Sequence, residues 1–174
     1  MTIRKILTEP DLFLRQKSLK VEDVNDEIRM LMDDMLETMY NAPGIGLAAI
    51  QIGVPKRVIV IDLSRDEEEK NPFYFVNPEI ITNSNNNASY EEGCLSVPGQ
   101  FAEINRPDKC RVKYLDYKGV EKITDAEGLL ATCIQHEIDH LEGILFIDYL
   151  SKLKKSMIVK KLSKQKKSLE RIVV

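Results

Sequence analysis

Between residues 25 and 40, Ile28, Leu31, Met32, Met35, Leu36 and Met39 recur at helical spacing, while Asp26, Glu27, Asp33, Asp34 and Glu37 fall on the opposite face. That pattern predicts an amphipathic helix with its apolar stripe against a core. The period then changes. Residues 57–63, with Val58, Ile59, Val60 and Ile61 in succession, read as a buried strand, and 64–71 as a charged loop. Residues 73–76 and 79–81 suggest further strand segments, with Pro78 marking an edge or a break. An Asn-rich loop follows over 82–89, then short strands at 102–104, 111–115 and 120–123, the last two joined by a hairpin turn at Lys118-Gly119. Leu129, Leu130, Ile134, Ile138 and Leu141 return to helical spacing. Thr124 to Glu127 reads as a capping box before them, and Gly143 stands where a helix would stop. A short helix near Pro10-Asp11 and a C-terminal helix complete the pattern, the latter carrying a stripe of Leu150, Leu153, Met157, Ile158 and Leu162. Helix, several short strands, then two helices predict an α+β fold rather than an alternating parallel one.

The chain of 174 residues is long enough for one domain with an ample core, and neither a repeat nor a linker divides it. Residues 1–150 are expected to form the body and 151–174 a basic amphipathic helix of the same domain. Eight Lys, one Arg and one Glu give that last segment a charge of +8, which leaves −11 on the body for a total of −3. A basic tail on an acidic body points to an anionic partner. The N-terminal residues are too short and charged for a secretory core, and no apolar run approaches the roughly 18 residues of a membrane span. Three cysteines, an odd number without an export signal, argue for free or metal-bound thiols and a cytoplasmic location. A monomer with no membrane contact is expected.

The chemistry concentrates at 135–143. His136 and His140 are the only histidines in the chain, and Glu137 directly follows the first. Positions i and i+4 lie on one helix face, so both imidazoles can reach one metal ion, and the adjacent carboxylate can accept a proton from water without itself being a ligand. Such a pair also arises in ordinary cores, but an unpaired polar cluster among apolar neighbours would be costly. Two histidines leave the metal short of a protein ligand. Downstream, Glu142, Asp148 and Glu170 are available; upstream, Cys94 in the segment Glu91-Glu92-Gly93-Cys94-Leu95-Ser96 is better suited to a Cys/His/His set with one open position. Cys133, one turn before His136, reads as a pocket residue, and Cys110 as incidental. The segment 41–51 is not a phosphate loop. Its two glycines fit either a close backbone approach or tight packing.

Three segments in order, Gly44-Ile45-Gly46-Leu47-Ala48-Ala49-Ile50-Gln51, Glu92-Gly93-Cys94-Leu95-Ser96 and Gln135-His136-Glu137-Ile138-Asp139-His140-Leu141-Glu142-Gly143, resemble the signature of the peptide deformylases. The resemblance implies short antiparallel strands around a central HExxH helix, and removal of the formyl group from N-formylmethionine on newly made polypeptides. By position it makes Cys94, His136 and His140 the metal ligands and Glu137 the acid/base, with Gln51 and the Leu95 backbone N–H holding the oxyanion. Ile45, Gly46 and Gly93 would contact the peptide backbone, while Leu129, Thr132 and Cys133 would line the methionine pocket. Ligand chemistry alone suggests zinc; the resemblance implies Fe²⁺ as the native ion, replaceable by Ni²⁺, Co²⁺ or Zn²⁺. It also implies a ribosome contact through the lysines of the C-terminal helix. Phe101 and Tyr90 depart from the residues common in the family, which bears on substrate preference rather than on the reaction. A general HExxH protease and a non-catalytic, metal-stabilised ribosome-binding module are the alternatives.

Overall fold

The described residues, 2–64 and 69–172, of the computed structural model form three α-helices, seven strands and short 3-10 turns with their connecting loops. Residues 65–68 of the charged loop and the last two of the C-terminal segment lie outside the described residues. The helices are α1 (Asp26–Asn41), α2 (Gly128–Leu141) and α3 (Lys152–Ile172). The strands are β1 (Gly46–Ala48), β2 (Val58–Ile61), β3 (Phe73–Asn83), β4 (Asn87–Cys94), β5 (Val97–Pro107), β6 (Lys109–Leu115) and β7 (Glu121–Glu127). All pairs are antiparallel, in a five-stranded sheet of order β1-β2-β3-β6-β7 and a separate β4-β5 hairpin.

The unbroken apolar run of β2 has a simple cause: both faces of the strand are covered. Val58 and Val60 pack with Ile28, Met32, Met35 and Met39 of α1, whereas Ile59 and Ile61 pack with Ala131, Ile134 and Leu141 of α2. The sheet therefore lies between the two helices, and α2 is held on its inner face. A third cluster, with Val97, Ile104, Phe146, Ile147 and Leu162, seats the middle of α3 against the hairpin.

Several expectations need correction. Thr124 is not a helix cap. It pairs with Val112 inside β7, and α2 starts at Gly128 with Glu127 at its N-cap, so strand pairing overrides the local capping pattern. The Asn-rich segment is mostly strand, since β3 runs to Asn83 and β4 begins at Asn87. Pro78 interrupts no strand; β3 continues through it with a bulge between Val76 and Glu79, which accommodates the missing N–H donor. Asp34 is buried rather than on the solvated face of α1, because Arg4 pairs with it at 2.7 Å. On α3, Ile158 and Leu162 dock, but Leu153 and Met157 are exposed. Asn25 caps the start of α1, its side chain accepting from the Ile28 N–H, and Gly143 follows α2 with φ +75°, where a stop is expected.

Gly143 is doubly constrained, because a Cβ there would overlap the Arg15 carbonyl. Gly143→Ala combines left-handed strain of about 1–3 kcal/mol with a backbone clash, and thermal denaturation should show a loss at or above the upper end of that range.

Candidate metal centre

The site is assembled from two pieces of the fold. Alternation along β4 turns Ala88, Tyr90, Glu92 and Cys94 to one face, and the strand ends with Cys94 against α2. On α2, the i, i+4 spacing puts His136 and His140 on the same side, with ring centroids 5.0 Å apart. One ligand atom from each of Cys94, His136 and His140 lies within 4.8 Å of the others. Cys94 Sγ is 3.2 Å from His140 Nε2 and accepts from the backbone N–H of Ser96 at 3.4 Å. Two of the three carboxylates weighed as rival ligands are engaged elsewhere, Glu142 with Arg57 and Lys17 and Asp148 with Arg15 and Lys155; the side chain of Glu170 lies outside the described residues.

Around the cluster is a cavity of about 450 Å³. Ile45, Gly46, Gln51, Gly93, Leu95, Leu129, Thr132, Cys133 and Glu137 line it together with Cys94 and His136, and Tyr90 and Phe101 stand in its wall. Every cavity-facing residue expected from the sequence thus converges on one place; His140 joins it through the ligand cluster. Gln51 is fixed at both ends. Its Oε1 accepts from the Ala48 N–H at 2.8 Å, while its Nε2 donates to Ser96 Oγ at 3.0 Å and lies 3.5 Å from Cys94 Sγ. A Cβ at Gly46 would collide with the Glu137 carboxylate and push it from its place in the site. The glycine-rich segment thus brings its backbone against Glu137 at Gly46 and against the Leu95 side chain at Gly44.

The surroundings favour a bound cation. His136 Nδ1 meets Glu92 Oε2 at 2.8 Å, which leaves Nε2 for the cluster. Burial disfavours a charge on His136, but the hydrogen bonds to Cys94 and Glu92 outweigh it and push its pKa well above the ordinary value. The groups that draw a proton there would equally attract a metal ion. Burial, and then the neighbouring His136, push His140 well below its usual value, so it keeps the neutral form that ligation requires. Glu137 is buried, its Oε2 has no partner, and burial pushes its carboxyl up to about 7. Sulfur, two imidazole nitrogens and an adjacent free carboxylate fit a divalent transition metal. Cys133 and Cys110 do not belong to the cluster. Burial raises their thiols to about 12 and about 11.

Sequence reasoning missed Glu92 and Arg106 as functional neighbours. Both are buried, with Arg106 Nε 2.6 Å from Glu92 Oε1 and Nη1 2.8 Å from Asp139 Oδ2. Hydrogen bonds from His136 and Arg106 overcome the upward push of burial and hold Glu92 below the usual carboxylate range. A two-residue period in β4 would have put Glu92 on the face of Cys94, and the same period in β5 puts Arg106 beside inward-facing Ile104.

Fold and site together define a metal-dependent hydrolase of the HExxH class. The family model for polypeptide deformylase matches residues 3–156, and the chain belongs to that family. It is 68% identical to the peptide deformylase of Pelagibacter ubique over the full length of both chains. The peptide deformylase of Phenylobacterium zucineum is 62% identical, with 97% of this chain and 99% of that one aligned. The crystal structure of the Ehrlichia chaffeensis peptide deformylase in complex with actinonin superposes with a TM-score of 0.91 at 46% identity, covering 95% of this chain and 98% of the other.

Proposed function

We propose that this chain removes the formyl group from the N-terminal methionine of newly made polypeptides, releasing formate. The observation that carries this reading is the convergence of the Cys94/His136/His140 cluster, Glu137 and the Gln51 amide on one cavity. That cavity lies between β1, the end strand of its sheet, and β4, one half of a two-stranded hairpin. Gly46 on β1, Ile45 just before it and Gly93 on β4 would pair with the backbone of an extended peptide. Leu129, Thr132 and Cys133, at i, i+3 and i+4 of α2, would receive the methionine side chain.

When bound, a divalent metal held by Cys94, His136 and His140 supplies an acidified water and a Lewis-acid contact for the formyl oxygen. Glu137 would take the proton as the water attacks and deliver one to the departing amine. Gln51 Nε2 and the Leu95 N–H would hold the charge developing on the formyl oxygen, each contributing on the order of 3 kcal/mol. Fe²⁺ is the proposed native ion. Zn²⁺, Ni²⁺ or Co²⁺ would fill the same donors in purified protein.

Protein reconstituted anaerobically with Fe²⁺ should release formate from formyl-Met-Ala-Ser and leave unformylated peptides intact. Internal cleavage of an unformylated peptide would favour the protease alternative, and metal-loaded protein without formate release would favour the non-catalytic module. Among the described residues no helix is long and apolar enough to cross a membrane. The proposed setting is the cytoplasm, with the protein acting as a monomer. The lysines of α3 are proposed to contact ribosomal RNA; binding should fall steeply with salt and be lost on truncation after Lys155. Unchanged salt-sensitive binding by the truncated chain would refute that contact.

A further inference from the structure

The two halves of the proposed metal centre sit on elements that belong to different units. Cys94 ends a strand of the β4-β5 hairpin, whereas both histidines ride on α2, packed against the five-stranded sheet. A buried chain of charges joins them. Glu92, two residues before Cys94, accepts from Arg106 Nε at 2.6 Å and Nη2 at 3.1 Å, and its Oε2 also meets His136 Nδ1. Arg106 turns its remaining nitrogen, Nη1, to Asp139 at 2.8 Å, and Asp139 lies one helical turn after His136. Tyr149, in the 3-10 turn Phe146–Tyr149 before α3, donates its hydroxyl to the same Asp139 oxygen at 2.8 Å. Its ring lies 4.8 Å from the Arg106 guanidinium carbon.

From this circuit we infer that Asp139 and Tyr149 are positioning residues for the metal ligands, acting through Arg106 and Glu92. The inference rests on the metal centre proposed above. The circuit starts and ends on α2, so it rivets the hairpin that bears Cys94 to the helix that bears the histidines. Arg106 is only 4% exposed, and once the Asp139 charge is removed its Nη1 keeps, as a further partner on that side, the Tyr149 hydroxyl at 3.4 Å, which leaves a buried cation short of compensating charge. Tyr149 is half exposed, so the way out for the guanidinium is towards Tyr149 and solvent. That movement takes Arg106 away from Glu92, and Glu92 away from His136 Nδ1. The His136 ring then loses its fixed direction, and Cys94 loses its fixed distance from the histidines. Removing outer partners of metal-ligating histidines costs about 10- to 100-fold in metal affinity.

The test uses the full chain loaded with Co²⁺ and compares Asp139→Asn and Tyr149→Phe with Tyr117→Phe. Tyr117 donates its hydroxyl to Asp33 of α1, away from the site, and serves as a control for losing one tyrosine hydrogen bond to a carboxylate. Asp139→Asn should release Co²⁺ to a chelator about 10-fold faster than the parent and shift both the thiolate-to-cobalt and ligand-field absorption bands. Tyr149→Phe should do the same to a smaller degree, and Tyr117→Phe should keep the parent's spectrum and release rate. Spectra and release rates of Asp139→Asn and Tyr149→Phe matching those of Tyr117→Phe would overturn the positioning role. A parent chain that takes up no Co²⁺ would instead overturn the metal centre, and the inference with it.

Discussion

Glu137→Gln is expected to lower the rate of formate release by about 10²- to 10⁴-fold, the typical contribution of a positioned general acid/base, while metal content stays at the parent level. The substitution keeps the shape of a side chain that is 4% exposed and packed over Gly46. It removes only the ability to accept and return a proton. Retained metal is expected because Glu137 is not among the clustered donors, which come from Cys94, His136 and His140. Single-turnover measurements with formyl-Met-Ala-Ser, paired with metal analysis of the same sample, check both parts. Loss of metal together with activity would make Glu137 a ligand, and full activity with full metal would remove it from the reaction.

The donor set was legible in the sequence because its spacing is a local matter. Two histidines four apart need only a helix, and α2 provides one. Cys94 was legible for a different reason: the carboxylates downstream of the histidines are few, and a thiolate flanked by glycine between strand segments suits a Cys/His/His set. What remained hidden depends on which side chains meet once strands are paired. Arg106 and Glu92 lie fourteen residues apart on opposite strands of a hairpin whose β5 runs for eleven residues. Nothing in either segment alone foretells an ion pair buried at 4–5% exposure. Thr124 shows the converse. Its capping pattern was locally sound, but the seven-residue pairing of β6 with β7 holds it in a strand, and pairing over a whole strand outweighs the roughly 1 kcal/mol of a single cap.

The same dependence on two distant elements gives the metal a structural effect as well as a catalytic one. Cys94 comes from the β4-β5 hairpin and the histidines from α2, so an ion shared among them ties parts of the fold that unfolding would separate. A metal present at about 100 times its dissociation constant adds about 2.7 kcal/mol to the folded state. For a chain of this length that corresponds to about 5–10 °C in melting temperature. Chelation of the loaded parent should therefore abolish formate release and lower the melting temperature by that amount, and Fe²⁺ or Co²⁺ should restore both. Cys94→Ala should behave as the chelated parent from the start. Losing a ligand outright exceeds the about 10- to 100-fold that losing an outer partner costs, and chelator should then change its melting temperature little. The discriminating measurement is a melting curve for each protein with and without chelator. A Cys94→Ala protein that still loses 5–10 °C on chelation would mean that the ion is held without the thiol, and a carboxylate such as Glu137 would then have to complete the site.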